Sequence, residues 1–316
     1  MEELYVSQDT LYEVVYGTVL KASQGIPSDV WQALKRAYGE EKDELAKLHL
    51  KRSLDSIKLG QQLDRFAGCA DTGWPLFFVR MGDNVRIENG FSSLYDVCTQ
   101  VVIEATRESR LRETMCHPLT RQNLGNNIGS YIPSVDIKFD SVIDCMEVTF
   151  VPKGGGAEIF GTFFQMMFPG DGRQGIMKFI LECASKSTYA GGTCPPNILG
   201  IGVGGTADIC MKIAKEAAVL RPVGSRHSDP EIAQMELDLL EAINMLERGP
   251  MGTGGTMTLL DVHIEYAATH TAALAVGFSS QCALAKRATA KLGKDGRIEY
   301  TDFPFKEYHG KVGKGV

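Results

Sequence analysis

The sequence predicts a mixed α/β protein, with a helical N-terminal region over residues 1–65, an α/β domain over 66–291 and a C-terminal tail over 292–316. Two observations carry this reading. Apolar residues recur at helical spacings up to residue 65, and from Phe66 the composition turns to glycine and short apolar runs bounded by turn residues.

Residues 11–21 are mostly apolar and read as a first helix. Ser28 offers a cap to a second, which carries Trp31, Leu34 and Ala37 and stops before Gly39. A third runs over about 41–63, with Leu45, Leu48, Leu54, Ile57 and Leu63 recurring at helical spacings and Lys and Asp on the other face, the pattern of an element that packs or docks. Pro75-Leu76-Phe77-Phe78-Val79 and residues 146–151 read as strands. A helix over 207–219 follows a glycine run. Another over 230–246 keeps Ile232, Met235, Leu239, Leu240, Ile243 and Leu246 on one stripe, with Pro230 in the first turn, where its missing N–H costs nothing. After Lys291 the chain is rich in Gly, Lys and Asp and reads as a loosely packed end. No repeat or low-complexity linker divides it.

A composition of 44% hydrophobic and 23% charged residues excludes a disordered or fibrous chain. No run approaches the roughly 18 apolar residues of a membrane span, and Met1-Glu2-Glu3 lacks the basic-then-apolar order of a signal peptide, so the expected compartment is the cytoplasm. A net charge of −6 gives no electrostatic footprint for nucleic acid or an anionic membrane. The eight cysteines are expected to be thiols, and none forms a CxxC pair, which removes zinc ribbons, thioredoxin-type sites and ferredoxin-type runs.

Four glycine-rich segments bring backbone amides within reach of a ligand: Gly68-Cys69-Ala70-Asp71-Thr72-Gly73, Lys153-Gly154-Gly155-Gly156, Gly191-Gly192-Thr193-Cys194-Pro195-Pro196 and residues 200–205. The last matches GxGxxG through Gly200, Gly202 and Gly205, which taken literally is a dinucleotide fingerprint. Its surroundings argue otherwise. A Rossmann unit needs a second strand ending in an acidic residue about 20 positions on, where this chain has the polar, proline-broken Leu220-Arg221-Pro222-Val223-Gly224-Ser225-Arg226-His227. Cys69, Cys194 and Cys282 each lie in a small-residue context beside hydroxyl or carboxylate side chains, and two prolines after Cys194 forbid helix there. Three cysteines on three loops suit an iron–sulfur centre with one iron left open as a Lewis acid. The other reading of each, a small buried hydrophobe, stays open at this point.

At these residues the chain resembles the alpha subunit of the class I fumarase and L(+)-tartrate dehydratase family of iron–sulfur hydro-lyases. The ordered segments Cys69-Ala70-Asp71-Thr72-Gly73, Pro118-Leu119-Thr120-Arg121-Gln122-Asn123, Pro152-Lys153-Gly154-Gly155-Gly156 and Cys194-Pro195-Pro196 carry the resemblance, and Leu220 to His227, Val262-His263-Ile264-Glu265 and Ser279-Ser280-Gln281-Cys282 continue it. The resemblance implies that the α/β domain is a cluster-binding catalytic domain. It implies that Cys69, Cys194 and Cys282 hold a [4Fe–4S] cluster with one iron not ligated by protein, and that Asp71 and His270 line the substrate pocket, with Arg112 a carboxylate binder. The chemistry agrees: dehydrating a hydroxydicarboxylate needs a Lewis acid at the hydroxyl, a base and cations for the carboxylates. His227 and His263 read as structural, as do Cys98, Cys116, Cys145, Cys183 and Cys210.

Two features depart from the family pattern. Ala70 stands where the family usually has Gln after the first cysteine, removing an amide donor and making room for another substituent. The chain also ends soon after Cys282, where single-chain members continue into a second domain, and so resembles the two-subunit members. The expectation is an α2β2 assembly in which a separate beta subunit completes the site and supplies the proton-abstracting base. The segments 153–156 and 200–205 put reversible hydration of fumarate to L-malate first, with L-tartrate dehydration to oxaloacetate and hydration of a related acid such as mesaconate next. The readings from other classes are a dinucleotide-dependent oxidoreductase and a non-catalytic iron–sulfur subunit.

Overall fold

The computed structural model describes residues 3–65, 68–69 and 71–302. The expected boundary at residue 66, Ala70 and positions 303–316 lie outside the described residues.

Three helices follow the short strand β1 (Leu4–Val6): α1 (Gln8–Gln24), α2 (Ser28–Glu40) and α3 (Glu44–Gln62). The Ser7 and Asp43 side chains cap α1 and α3 by accepting the N–H groups of Thr10 and Ala46. Ser28, expected as a cap, is instead the first residue of α2, whose N-terminus has no side-chain cap.

A five-stranded sheet follows, built from β2 (Trp74–Met81), β4 (Ser134–Phe139), β5 (Met146–Lys153), β10 (Ala288–Leu292) and β11 (Ile298–Thr301) in the order β11-β10-β5-β2-β4. Strand β3 (Val85–Ile87) pairs apart from it, with β1. Alternation sorts the faces of the sheet. Phe77, Val79, Met146, Val148, Phe150, Ala288 and Ala290 turn to α1 and to α4 (Ser93–Arg107), while Leu76, Phe78 and Val151 turn the other way. The stretch after Lys291, read from sequence as a loose end, is ordered over 298–301, where β11 pairs antiparallel with β10.

A second sheet has four strands, β6 (Thr162–Met167), β7 (Asn197–Val203), β8 (Leu259–Tyr266) and β9 (Leu274–Gln281), in the order β6-β9-β7-β8. The helices α6 (Gly172–Thr188) and α8 (Pro230–Asn244) cover one face, against Leu199, Ile201, Val262, Ile264 and Phe278. Helix α7 (Ala207–Leu220) lies on the other, and its last turn, Ala218 to Leu220, packs on Leu76, Phe78 and Val151 of the first sheet. That contact joins the two sheets through a single helix. Gly200 and Gly202 allow it: a Cβ at Gly200 would stand 2.0 Å from the Ala214 carbonyl oxygen and one at Gly202 2.1 Å from that of Cys210. These two glycines of the GxGxxG run therefore serve close helix-to-strand packing.

Helices α2 and α3 form a further core with Ile198, Ala283 and Ala285. Buried carboxylates fasten them: Glu41 accepts the N–H groups of Thr256 and Met257, and Asp29 accepts that of Val223. No helix among the described residues is long and apolar enough to cross a membrane.

Candidate active site

Each main sheet brings two turns together at one end of its strands. Trp74 pairs with Lys153, so the turn before β2 and the turn after β5 lie together. Ile198 pairs with Gln281, so the turn before β7, which carries Cys194, lies beside Cys282. Cross-ties then join the two pairs. The Lys153 Nζ donates to the Ser280 carbonyl at 2.7 Å and the Lys286 Nζ to the Cys69 carbonyl at 2.8 Å, while within the second pair the Ala283 N–H donates to the Cys194 carbonyl at 3.0 Å. The short helix α5 (Gly155–Phe160) starts at this junction.

Asp71 spans the first two turns. Its Oδ1 accepts the Gly73 N–H at 3.1 Å, its Oδ2 accepts the Gly155 N–H at 2.8 Å, and its own N–H approaches the Cys69 Sγ at 3.4 Å. Gly73 has φ 63°, and a Cβ there would lie 1.7 Å from the Lys153 carbonyl oxygen, so this turn admits only glycine. Thr72, buried, accepts the Arg112 N–H at 2.7 Å, and the Arg112 carbonyl accepts from Asn127 Nδ2 at 2.9 Å. Arg112 is thus held beside Asp71 with its side chain exposed.

The three thiols act on one another. Burial pushes the Cys282 thiol up to about 11, helped by Cys194 and Cys69. Cys194 is raised by burial and then by Cys69 and Asp71. Cys69 and Cys194 are nevertheless exposed and Cys282 half-buried, so the cluster of thiols opens to solvent. Among the described residues no three His, Cys, Asp or Glu side chains close on a single metal ion. Two buried ammonium groups stand behind the thiols. Lys153 is lowered by burial, against the pull of Glu158, with which it pairs at 3.3 Å. Burial also lowers Lys286, against the pull of Cys69, Cys282 and Asp71.

His270 is elsewhere. It is exposed in the turn between β8 and β9, where its Nδ1 accepts the Ala272 N–H at 3.1 Å and its ring lines a cavity of about 400 Å³ with Ile176 and Met235. The eight residues of β9, roughly 26 Å of strand, separate that turn from Cys282. The structure therefore brings together Cys69, Cys194, Cys282 and Asp71, ties the Arg112 backbone to the neighbouring Thr72, and leaves His270 at the far end of the sheet.

The remaining candidates have structural surroundings. His263 is fully buried, its ring nitrogens 3.1 Å from the Ala217 carbonyl and 3.1 Å from Asp261. The His227 Nδ1 accepts the Asp229 N–H at 2.9 Å. Cys98, Cys145, Cys183 and Cys210 are buried, and Cys116 bridges to Asn123 in the loop before β4. Sequence reasoning missed Lys286 and the roles of Lys153 and Thr72. For Lys153 the signal was its place in the Lys-Gly-Gly-Gly run; for Lys286 nothing in the sequence distinguishes a buried lysine from a surface one.

The family model described as fumarate hydratase (fumerase) matches residues 12–291. A protein of Methanocaldococcus jannaschii with the provisional name L(+)-tartrate dehydratase subunit alpha is 39% identical over 287 residues, which is 90% of this chain and 99% of that protein. The L(+)-tartrate dehydratase subunit alpha of Escherichia coli strain UTI89 is 33% identical over 287 residues, 90% of this chain and 91% of its own. That of strain K12 is 32% identical over 285 residues, with the same coverage. With 280 consecutive positions matched in one piece, the chain belongs to the fumarate hydratase (fumerase) family of hydro-lyases.

Proposed function

We propose that this chain is the alpha subunit of an iron–sulfur hydro-lyase that dehydrates L-tartrate to oxaloacetate, and that Cys69, Cys194 and Cys282 hold a [4Fe–4S] cluster whose fourth iron has no protein ligand. The observation that carries this reading is the convergence of three cysteine loops around an anchored carboxylate, Asp71. The donor set fits such a group. Burial, reinforced by neighbouring acidic groups, opposes ionisation of Cys194 and Cys282, so the site favours a positively charged body that displaces their protons.

The relatives' names favour L-tartrate over the fumarate reading that the glycine segments suggested. Ala70 agrees, since a residue smaller than Gln leaves space for the second hydroxyl of tartrate. Those names, all of alpha subunits, also support a separate beta chain, and the exposed thiols give it a face to cover. A cytoplasmic setting would keep eight thiols and an oxygen-labile cluster reduced.

When bound, the cluster supplies a Lewis acid for the substrate hydroxyl that leaves. Asp71 has one acceptor site on each oxygen committed to a backbone N–H, and the rest remain open to a substrate. It orients the departing hydroxyl and relays a solvent proton to it, so that it leaves as water. Arg112 pairs with a substrate carboxylate through two parallel N–H bonds. The C–H proton goes to a base on the beta chain. The enol left by losing that proton and hydroxide becomes oxaloacetate by moving its hydroxyl proton to carbon. His270 serves only across a chain boundary, at the site of a second alpha subunit in the α2β2 assembly.

The test is an anaerobic screen of the two-chain complex against both tartrates, fumarate, L-malate and mesaconate. Oxaloacetate should form from L-tartrate with the highest kcat/KM. A higher kcat/KM for fumarate or L-malate restores the fumarase reading, and no turnover of any of these acids overturns the hydro-lyase assignment for this site.

A further inference from the structure

The two main sheets have four edge strands among the described residues, β11, β4, β6 and β8. Three of them carry charge: Glu299 on β11, Asp136 and Lys138 on β4, Asp261 and Glu265 on β8. Side chains also close the outer side of β8. The Val262 carbonyl accepts from Arg226 at 3.0 Å, the Ile264 N–H donates to Glu236 at 2.8 Å and the Ile264 carbonyl accepts from Arg221 at 3.2 Å. Charge and cover of this kind keep an edge from pairing with another chain. Strand β6 has neither. Residues 159–170 include no charged side chain, and Ile159, Phe160, Phe164, Met166 and Phe168 are exposed along them.

The register shows which groups β6 leaves open. The Ser280 N–H donates to the Gly161 carbonyl, so at alternate positions Phe163, Gln165 and Met167 make the bonds to β9. The N–H and C=O groups of Thr162, Phe164 and Met166 point away from the sheet, and among the described residues nothing bonds to them.

We propose that β6 pairs antiparallel with β6 of a second copy of this chain, about a two-fold axis at Phe164, which joins two four-stranded sheets into one. Two observations make the occupant a second copy. A register centred on Phe164 satisfies every open group: Phe164 faces Phe164 of the other copy, and Thr162 faces Met166 in both directions, the self-complementarity that a two-fold contact requires. The same register brings the site a missing group. Met167, which pairs with Leu274, comes opposite Gly161 of the other copy, which bonds to its own Ser280. The turn before Leu274, with His270, and Cys282 of the other copy then leave the joined sheet at the same end. Their strands stand three spacings apart, roughly 14 Å, in place of the whole length of β9 within one chain. The part played by His270 rests on the proposed function; the pairing does not.

The test is hydrogen–deuterium exchange on the full chain in its complex with the second subunit, for wild type, Phe164→Lys, Phe164→Glu and an equimolar mixture of the two variants. In wild type the N–H groups of Thr162, Phe164 and Met166 should exchange as slowly as those of Phe163, Gln165 and Met167, which β9 holds. Each variant alone sets like charges face to face across the axis and should free the three outer groups. The mixture sets opposite charges there and should protect them again. Turnover per bound cluster should fall in each variant and return in the mixture. Outer groups that exchange freely in wild type, or stay protected in both variants, overturn the pairing. A loss of protection that mixing does not repair assigns the edge to the second subunit or to residues 303–316, and overturns it as well. If neither variant folds, wild-type exchange and native mass spectrometry decide: a wild-type complex with a single copy of this chain overturns the pairing. Wild-type turnover in variants whose outer groups are free overturns the His270 step alone. A complex that pairs in this way but takes up no cubane overturns the proposed function and leaves the pairing standing.

Discussion

Asp71 shows how one side chain can be both a structural tie and a chemical group. Two backbone N–H groups from different loops, Gly73 and Gly155, fix its carboxylate, so its remaining lone pairs point in a defined direction without further ordering cost. An amide has only one oxygen to offer these two donors. Asp71→Asn should therefore lower kcat by about 100- to 10,000-fold, the usual worth of a positioned proton donor, while iron content stays near wild type; loss of iron in parallel with activity would make Asp71 a structural tie alone. At this scale the sequence was informative wherever a residue type is rare in its context. Cys69, Cys194 and Cys282 stood out among small residues and turns, and the structure draws their loops together. Lys286 did not stand out, because its burial depends on contacts from loops far apart in sequence. His270 shows the reverse: the family resemblance implied a place in the pocket, and within one chain the structure puts it a strand's length from Cys282.

Strand β7 and helix α7 show what an element can hide. Residues 200–205 match a nucleotide-binding pattern, yet Gly200 and Gly202 lie inside a strand against which a helix packs. Gly202→Ala forces a methyl to within 2.1 Å of the Cys210 carbonyl oxygen, an overpacking that costs about 1–3 kcal/mol, so its thermal unfolding midpoint should fall by several degrees. An unchanged midpoint would mean that α7 shifts away without penalty. The next strand, β8, holds a buried ionic group. Asp261 is lowered from 3.8 to about 2: burial acts to raise it, but hydrogen bonds from His263, Arg226 and the Gly224 N–H win. A depressed carboxylate stabilises the fold above its unfolded pKa, and that contribution is lost as pH falls from about 4 towards 2. It amounts to about 2 kcal/mol, so Asp261→Asn should flatten the acid limb of the stability profile measured by denaturant unfolding; an unchanged limb would assign acid sensitivity to other carboxylates. Helices α1, α2, α3, α7 and α8 were legible because their apolar residues recur over many turns, whereas α4 and α6 were not read from the sequence. The caps were less so: Ser28, read as a cap, is the first residue of α2, while α3 is capped by Asp43. The strand β11 was missed because a short strand at the edge of a sheet, with Gly and Lys around it, has no periodicity of its own.

In the whole molecule two sheets meet through α7, and their corresponding edges bring four loops to one place. The mixed class and the helical start were readable in composition and periodicity. The sheet order was not, because β10 and β11 return to pair beside β5 after the second sheet is complete, a long-range pairing that no local pattern encodes. The molecule also explains why one chain is not expected to turn over substrate alone. Cys69 and Cys194 are exposed, and His270 lies in the turn between β8 and β9, a strand's length from Cys282. The most direct measurement of the central claim is the iron and acid-labile sulfide content per chain after anaerobic reconstitution of wild type and the eight single Cys→Ala variants. The account predicts cubane stoichiometry in wild type and in the variants at Cys98, Cys116, Cys145, Cys183 and Cys210, and little or no iron in those at Cys69, Cys194 and Cys282. Iron retained by any of these three variants, or lost from a folded variant among the other five, would contradict it.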